Sequence, residues 1–424
     1  MMPAIVRDIS EYLASATSRR PVAPFDPFTE AHDARPMVNT AMICSVPWPV
    51  SPRTVNALLY YFAREALVIT YSIAPDVTPG ISRREAIDAY VAEMAKHELP
   101  ITFVGYTLPL PNAPSWIVTV HDPFLERARS NLFLCDKPIA LVTAYNEADA
   151  IEETIKDLLK QGCQVVFSDN WSCDGTYEII ESLVAQHPDL LELERFPPEG
   201  PTPHFELFRQ LQHKEEIALR FPGRWIMHTD ADELRRAPIP GMSIRQAFGL
   251  ASAYGSNRVL FTCIDFRPVD DGAIDGSLEE RLLFFEHGTR PGHFRQAKAW
   301  LQATQRVDLA SSGGHAALFS DARDFPYRFL LKHYPIRSHE HGMRKIVKER
   351  QLRYSPYERE VLGWHTHYEN VGENSNLRWL PETLFRYDRD DFWNDHTFLV
   401  ITDLVERLFA RSQFRPTSIM GAHR

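Results

Sequence analysis

Nothing in this 424-residue chain is spaced for a zinc ribbon or a disulfide framework. Its five cysteines, Cys44, Cys135, Cys163, Cys173 and Cys263, form no CxxC pair and their number is odd. That usage fits a reducing compartment. An unbroken apolar run is missing too: the most apolar stretch, Asn56 to Ala74, is interrupted by Arg64 and Glu65, and the first forty residues alternate charges, prolines and small residues. We expect neither an export signal nor a membrane span, so Asn170-Trp171-Ser172 matches a glycosylation acceptor by chance. Positive charge is also short. With 46 Lys+Arg against 56 Asp+Glu the formal charge is -10, which gives a general affinity for nucleic acid no electrostatic support. Internal repeats and low-complexity tracts are absent.

What is present is the composition of a soluble globular chain, 44% hydrophobic and 24% charged, at a length that calls for two or three domains. Residues 1–136 read as an arm followed by a small accessory α/β domain. The arm contains PVAPFDPF at Pro21 to Phe28; the domain alternates MICSV, a helix from Pro52 to Ala66, LVITYSI, a helix from Ser82 to His97, ITFVGYTL and SWIVTV. No phosphate loop, metal cluster or nucleophile signature marks it. A turn at Asp136-Lys137-Pro138 opens a second unit, 137–346, where strands and helices alternate as in a parallel sheet. IALVTAY leads into a helix from Glu147 to Gln161, then QVVFSD, a helix from Thr176 to Gln186, LLELERF, a helix from Phe205 to Leu219, and WIMHTD. Beyond it we expect a helix from Ser243 to Tyr254, the strand RVLFTCIDF, the strand FLLKHYPI and a helix from Ser338 to Gln351. Residues 347–424 form an aromatic-rich, largely irregular extension packed on the second unit, with a helix from Asp395 to Ala410.

Three strand ends carry chemistry: VTAYNE at Val142 to Glu147, SDNWSCDGT at Ser168 to Thr176, and HTDADE at His228 to Glu233. In an open parallel sheet the carboxyl ends of the strands form the ligand crevice, so these residues converge. Asp230-Ala231-Asp232 puts two hard oxygen ligands on one turn, suited to a Mg²⁺ or Mn²⁺ ion shared with phosphate oxygens. An isolated acidic turn is as readily a solvated loop or a helix start; its place after an apolar strand, with two companion motifs, favours the ligand reading.

In these three pieces, in this order and spacing, the sequence resembles the family 2 glycosyltransferases of the GT-A fold over roughly Lys137 to Gln351. The resemblance implies a Rossmann-like central mixed sheet flanked by helices, a nucleoside-diphosphate sugar donor, a divalent cation (Mn²⁺ or Mg²⁺) and inversion at the anomeric carbon. It implies that Ala144 and Tyr145, with Glu147 nearby, line the nucleobase pocket, where the tyrosine ring can stack on a base. Asp169 can accept from base or ribose. Asn170 stands where the family often has a second Asp, and Trp171 replaces a small residue, so both belong to a reshaped donor pocket. Asp230 and Ala231 would touch the nucleotide sugar, and Asp230 and Asp232 the metal. Asp174-Gly175-Thr176 reads as structural, a turn and a capped helix start.

A basic block from Arg323 to Arg353 holds nine Lys or Arg against Asp324, Glu340 and Glu349, a local +6. Such a block is often only a solvated helix face. The functional reading is a diphosphate clamp or a seat for an acidic acceptor, with Arg337, Arg344 and Lys345 around a helix N-terminus. The family's Glu-Asp pair is missing; the carboxylate base that an inverting transfer needs is therefore sought at Glu340 first, then Asp324, with Asp321, Glu279 and Glu280 also in range. His315, after Gly313-Gly314, is the candidate third metal ligand and His333 the alternative. His339-Glu340-His341 and His365-Thr366-His367 lack the further ligands of a zinc site. Family expectation adds a glycan or lipid-linked acceptor in bacterial envelope synthesis. The expected lack of an export signal points to a cytoplasmic or inner-face peripheral location, and the N-terminal domain is expected to serve acceptor recognition or self-association as a homo-oligomer. A catalytically degenerate nucleotide-sugar-binding scaffold is the main rival. A sugar nucleotidyltransferase is disfavoured because AYNEAD occupies the place of its glycine-rich loop.

Overall fold

The computed structural model describes residues 133–387, apart from 239–240, 271–275, 288–292, 294, 326 and 365–369, together with residue 92 and the backbone of four strands nearer the N-terminus. The chain divides into two compact units, Leu134–Asp388, and Met1–Phe133 with Arg389–Arg424. Residues 347–388 thus group with the unit that carries the three strand-end motifs. In the other unit the described strands β1 (Ala41–Ser45), β2 (Leu67–Ile73), β3 (Phe103–Tyr106) and β4 (Trp116–His121) form one sheet in the order β1-β2-β4-β3, with β1 and β2 parallel. They fall on the four apolar runs read from the sequence. The arm and the helices expected at 52–66, 82–97 and 395–410 lie outside the described residues, except for residue 92, which is helical.

In the larger unit, β5 (Ile139–Ala144), β6 (Gln164–Asp169), β7 (Leu191–Arg195) and β8 (Trp225–Asp230) are parallel, in the order β8-β5-β6-β7. β5 and β6 are buried on both faces, which is why they read as nearly continuous apolar runs. The connecting helices are α1 (Ile151–Lys160), α2 (Thr176–Gln186) and α3 (Leu207–Ala218). α1 buries Ile151, Ile155 and Leu158 on one stripe, while Glu152 and Glu153 in its first turn and Lys160 in its last suit the helix dipole. It starts four residues later than expected, because 147–150 form a turn in which the Glu147 carbonyl accepts from the backbone N–H groups of Ala150 and Ile151.

The sheet then turns mixed. β9 (Glu233–Arg236) follows β8 directly, α4 (Ile244–Ala253) leads to the ten-residue β10 (Arg258–Arg267), and β11 (Phe284–His287), β12 (Arg295–Leu301), β13 (Phe329–His333) and the short β14 (Phe385–Arg386) complete it. β12 inserts antiparallel between β8 and β10, and β13 lies parallel to β10 and antiparallel to β9. The carboxyl ends of β5, β6, β8, β10 and β13 therefore share one edge. The central mixed sheet flanked by helices that the sequence implied is the fold observed. Trp225 stacks on Phe248 of α4 at 4.7 Å, and Phe248 on Phe329 at 5.4 Å, fastening α4 to the sheet.

After β13 the chain forms α5 (His339–Gly342), which continues as a π-helical run, Met343–Arg350, where one regular helix was expected. The Ser338 hydroxyl caps α5 by accepting from the His341 N–H at 3.0 Å. Gly342 is the hinge of close packing: an added Cβ would lie 2.6 Å from Leu377 Cδ1 and 2.8 Å from Ile336 Cγ2. Gly342→Ala is expected to lower unfolding stability by about 1–3 kcal/mol, read by urea denaturation, since both neighbours belong to a buried cluster that would have to repack.

Candidate functional site

The first two motifs are tied together by side chains that act on backbone. The Asp174 carboxylate accepts from the N–H of Ala148 at 3.0 Å and from the Thr176 hydroxyl at 2.6 Å, and that hydroxyl in turn accepts from the Glu147 N–H at 2.9 Å. Ser172 Oγ accepts from the Asn146 N–H at 3.1 Å, and Asn146 Oδ1 from the Cys173 N–H at 2.9 Å. Asn146 and Trp171 both take positive φ, 54° and 58°, which places their neighbours at the crevice edge. This lacing aims Glu147 inward.

At the β5 and β6 ends, Ala144, Asp169 and Asn170 are buried and adjacent, the Asn170 N–H donating to the Ala144 carbonyl at 2.8 Å. Asp169 Oδ2 accepts from the Ser172 N–H, whereas its Oδ1 is buried without a partner. Burial pushes the Asp169 carboxyl above its ordinary value. Arg353 stacks its guanidinium 3.8 Å from the centroid of the Tyr145 ring and reaches Asn170 Oδ1 at 3.3 Å. Trp171 faces the other way: its Nε1 donates to the Pro197 carbonyl at 2.8 Å, and Arg195 lies over its ring.

The Asp-Ala-Asp turn is held from both sides. The Ala231 carbonyl accepts from the Thr154 hydroxyl at 2.7 Å, and the Asp232 carbonyl from the Tyr334 N–H at 2.9 Å. Asp230 Oδ2 accepts from Lys298 Nζ at 2.9 Å, and Oδ1 lies 3.8 Å from His228 Nε2. Lys298 is itself pinned by Glu233 Oε1 at 2.7 Å. Asp232 Oδ2 accepts from Lys345 Nζ at 2.8 Å, while Oδ1 faces His333 Nε2 at 3.7 Å. Burial acts to raise both aspartates, but Lys298 with His228, and Lys345 with His333, outweigh it and hold both below the usual carboxylate range.

His333, rather than His315, is the imidazole on Asp232. Its Nδ1 is engaged by Asp265 Oδ1 at 2.7 Å, which leaves Nε2 directed at the turn. Burial opposes its protonation, yet Asp232 and Asp265 raise its pKa. An imidazole oriented by a carboxylate behind it is the usual support of a metal ligand. Asp232 Oδ1 and His333 Nε2, 3.7 Å apart, are a carboxylate and imidazole pair of the kind that suits Mn²⁺, whereas among the described residues Asp230 belongs to no group of three ligand atoms close enough for one ion; His333 belongs to such a group with Cys263 and Asp265. His315 instead lies beside His293, 5.3 Å between ring centroids, and burial, Lys298 and His293 lower its pKa to about 4. The glycines before it approach protein and not ligand: a Cβ on Gly314, at φ +84°, would meet His228 Nε2 at 2.9 Å, and one on Gly313 would touch Trp364.

Arg337, expected in a diphosphate clamp, forms the centre of a second cluster. Its guanidinium donates to Glu147 Oε2 at 2.6 Å and to both Asp149 oxygens at 2.7 Å, and lies 2.7 Å from His341 Nε2. It fills the space among Glu147, Asp149 and His341, whose ligand atoms lie close enough for an ion. Lys345 joins the cluster to the aspartate turn, 2.7 Å from Glu147 Oε1. Arg344 sits at its rim, 3.9 Å from Asp149 and 3.1 Å from Glu349. Burial acts to raise Glu147, and Lys345 and Arg337 overcome it and lower its pKa strongly.

The acids considered as bases lie elsewhere. Glu340 is exposed on α5, whereas Arg337, His341 and Lys345 are buried. Asp324 forms a bidentate pair with Arg258, at 2.6 and 3.1 Å, at the amino end of β10 and so at the opposite edge of the sheet from the crevice. Asp321 is exposed near the same edge. Glu279 pairs with Arg236 and Lys332, and Glu280 caps a short helix through Ser277. His339 accepts from the Leu377 N–H; His365 and His367 lie outside the described residues. The residues the sequence reading passed over are Lys298, Asp149, Asp265 and Arg353. Asp265 lies inside the expected strand RVLFTCIDF and Arg353 ends the basic block, but neither takes a role from the sequence reading.

Residues 139–197 match the model of the family described as Glycosyl transferase family 2, covering the first two motifs. No curated protein matches the chain. Among solved structures, a mannosyltransferase from Pyrobaculum calidifontis, determined in complex with GDP-Man and Mn²⁺, is 23% identical over 33% of this chain and 42% of its own, with a TM-score of 0.23. The chain spans less than half the length of that protein. No helix among the described residues is long and apolar enough to cross a membrane.

Proposed function

We propose, from the glycosyl transferase family 2 segment at 139–197, that this protein transfers a sugar from a nucleoside-diphosphate sugar to an acceptor hydroxyl. The observation that carries the reading is the shared crevice edge, where Glu147 after β5, Asp232 of the aspartate turn, Arg337 and Lys345 meet within one network of ion pairs. Ala144, Tyr145, Asp169 and Asn170 form the base and ribose side, Asp169 Oδ1 being a buried acceptor still lacking a donor. A nucleobase or ribose supplies such donors. Asp232 and His333, with Asp230 on the same turn, would hold a divalent cation, which when bound would supply Lewis-acid stabilisation of the departing diphosphate. Arg337, Lys345 and Arg344 add positive charge beside it, as departure of a nucleoside diphosphate requires.

Inversion, a glycan or lipid-linked acceptor and a place in bacterial envelope synthesis are carried only by the resemblance. The scaffold reading has one observation in its favour: none of Glu340, Asp324, Asp321, Glu279 and Glu280 stands ready in the crevice as a base. A thermal-shift panel separates the two. With Mn²⁺ present, at least one of UDP-, GDP- and dTDP-sugars is expected to raise the melting temperature, and slow donor hydrolysis to follow. No shift with any donor defeats nucleotide-sugar binding altogether; a shift without any hydrolysis supports the scaffold.

A further inference from the structure

We propose that Lys345 is a resident counter-cation for the aspartate turn, one that a divalent ion must displace from Asp232 and that the donor diphosphate then takes up. The inference rests on the donor reading above and concerns the order in which the site fills. Lys345 Nζ bridges Asp232 Oδ2 at 2.8 Å and Glu147 Oε1 at 2.7 Å, all three side chains being 7% exposed or less. An ammonium there and a metal ion held by the same carboxylate would be close neighbours inside a poorly solvated site, where like charges repel strongly. The two are therefore competitors for Asp232 until an anion arrives to share them.

The two lysines of the turn are built differently. Lys298 sits on β12 in the middle of the sheet and is fixed by both Asp230 and Glu233, so it serves as a permanent part of the wall. Lys345 stands on the π-helical run after α5, a helix form that concentrates at functional sites. Its departure strands neither acid. Glu147 keeps Arg337 at 2.6 Å and Arg350 at 3.5 Å, and Asp232 keeps His333 at 3.7 Å and Arg337 at 3.9 Å. A flexible four-carbon stem lets the ammonium swing while its backbone stays. The consequence is that Mn²⁺ alone binds weakly and that the diphosphate removes the competing charge.

The test is titration of Mn²⁺ alone, without nucleotide, followed by electron paramagnetic resonance or calorimetry on the full chain. Lys345→Met is expected to bind Mn²⁺ at least tenfold more tightly than wild type, and Lys345→Arg, which keeps the charge, to bind no more tightly. Because Lys345→Met leaves Glu147 and Asp232 without their shared cation, the double variant Glu147→Gln/Lys345→Met, which removes one charge of each sign, is titrated beside it. It should show the same gain. Equal or weaker Mn²⁺ affinity in the folded neutral variants, including no binding in any of them, overturns the proposal. The donor panel on wild type is scored independently, so loss of the transferase reading and loss of the Lys345 role are distinguishable.

Discussion

Replacing Arg337 with methionine is expected to lower unfolding stability by about 3–5 kcal/mol at pH 7, the usual consequence of leaving a buried charge without its partner. The side chain is 1% exposed, and Glu147, one of its partners, is 4% exposed. Methionine fills much of the volume but donates nothing to Glu147, to Asp149 or to the Tyr334 carbonyl. The deficit should depend on pH in a defined direction. Glu147 and Asp232 titrate below their ordinary values of 4.5 and 3.8 in the folded protein. A depressed carboxylate contributes stability above its unfolded pKa and loses it as the pH falls towards the folded one. Arg337 supplies part of that depression. The gap between wild type and Arg337→Met is therefore widest near neutrality and narrows as the pH falls below 4.5. Urea unfolding at a series of pH values measures it, and a gap that stays constant with pH would mean that Arg337 acts through packing alone.

The second large effect falls on turnover. Asp232→Ala removes the carboxylate that lies between Lys345 and His333, and donor turnover is expected to fall by about two to three orders of magnitude. The loss should appear in kcat as well as in KM, because the ion and the cations around it act most strongly on the charge that develops as the diphosphate leaves. Mn²⁺ should then add nothing to donor-induced thermal stabilisation. Asp324→Asn is the matched comparison. It breaks the pair with Arg258 at the far edge of the sheet, and turnover per folded molecule should stay within about twofold, because the pair shares no partner with the crevice. Comparable losses in both variants would remove the turn from the chemistry.

How far the sequence shows this site depends on how each part is stabilised. β5, β6 and β8 are legible because both faces are buried, so each is a run of apolar residues closed by a polar one. Asp230 and Asp232 are legible because two carboxylates on one strand end are costly unless something positive answers them. β9 and β12 are not. β9 is Glu-Leu-Arg-Arg, and its burial is bought by ion pairs such as Glu233 with Arg235 and Lys298, which leave no apolar pattern. β12 carries Gln296 and Lys298 at buried positions, so its apolar run is broken in the middle by the residue that matters most to Asp230. The basic block from Arg323 to Arg353 is visible as charge, but charge alone does not say which acids it meets. Glu340 and Asp324 fitted by distance along the chain, whereas Glu340 is exposed on α5 and Asp324 is paired with Arg258 at the far edge of the sheet. Asp265 lies two residues before the end of β10, two strands along the sheet from β8, so no strand-end rule picks it out.

The ion cluster around Arg337 also has a history within each folding event. Its bonds join residues separated by 190 positions for Glu147, 188 for Asp149, and 113 for the Lys345–Asp232 pair. Contacts of that span form only after a long loop has closed, and closing it costs chain entropy before any reward arrives. The half of the sheet built from β5 to β8 can pair its strands from nearer neighbours, and while it waits it holds Glu147, Asp149 and Asp232 with none of their counter-charges from residues 337–350. Like charges crowded at one edge repel. The crevice is thus expected to settle last in this unit, with the segment after β13 both neutralising the edge and completing the site.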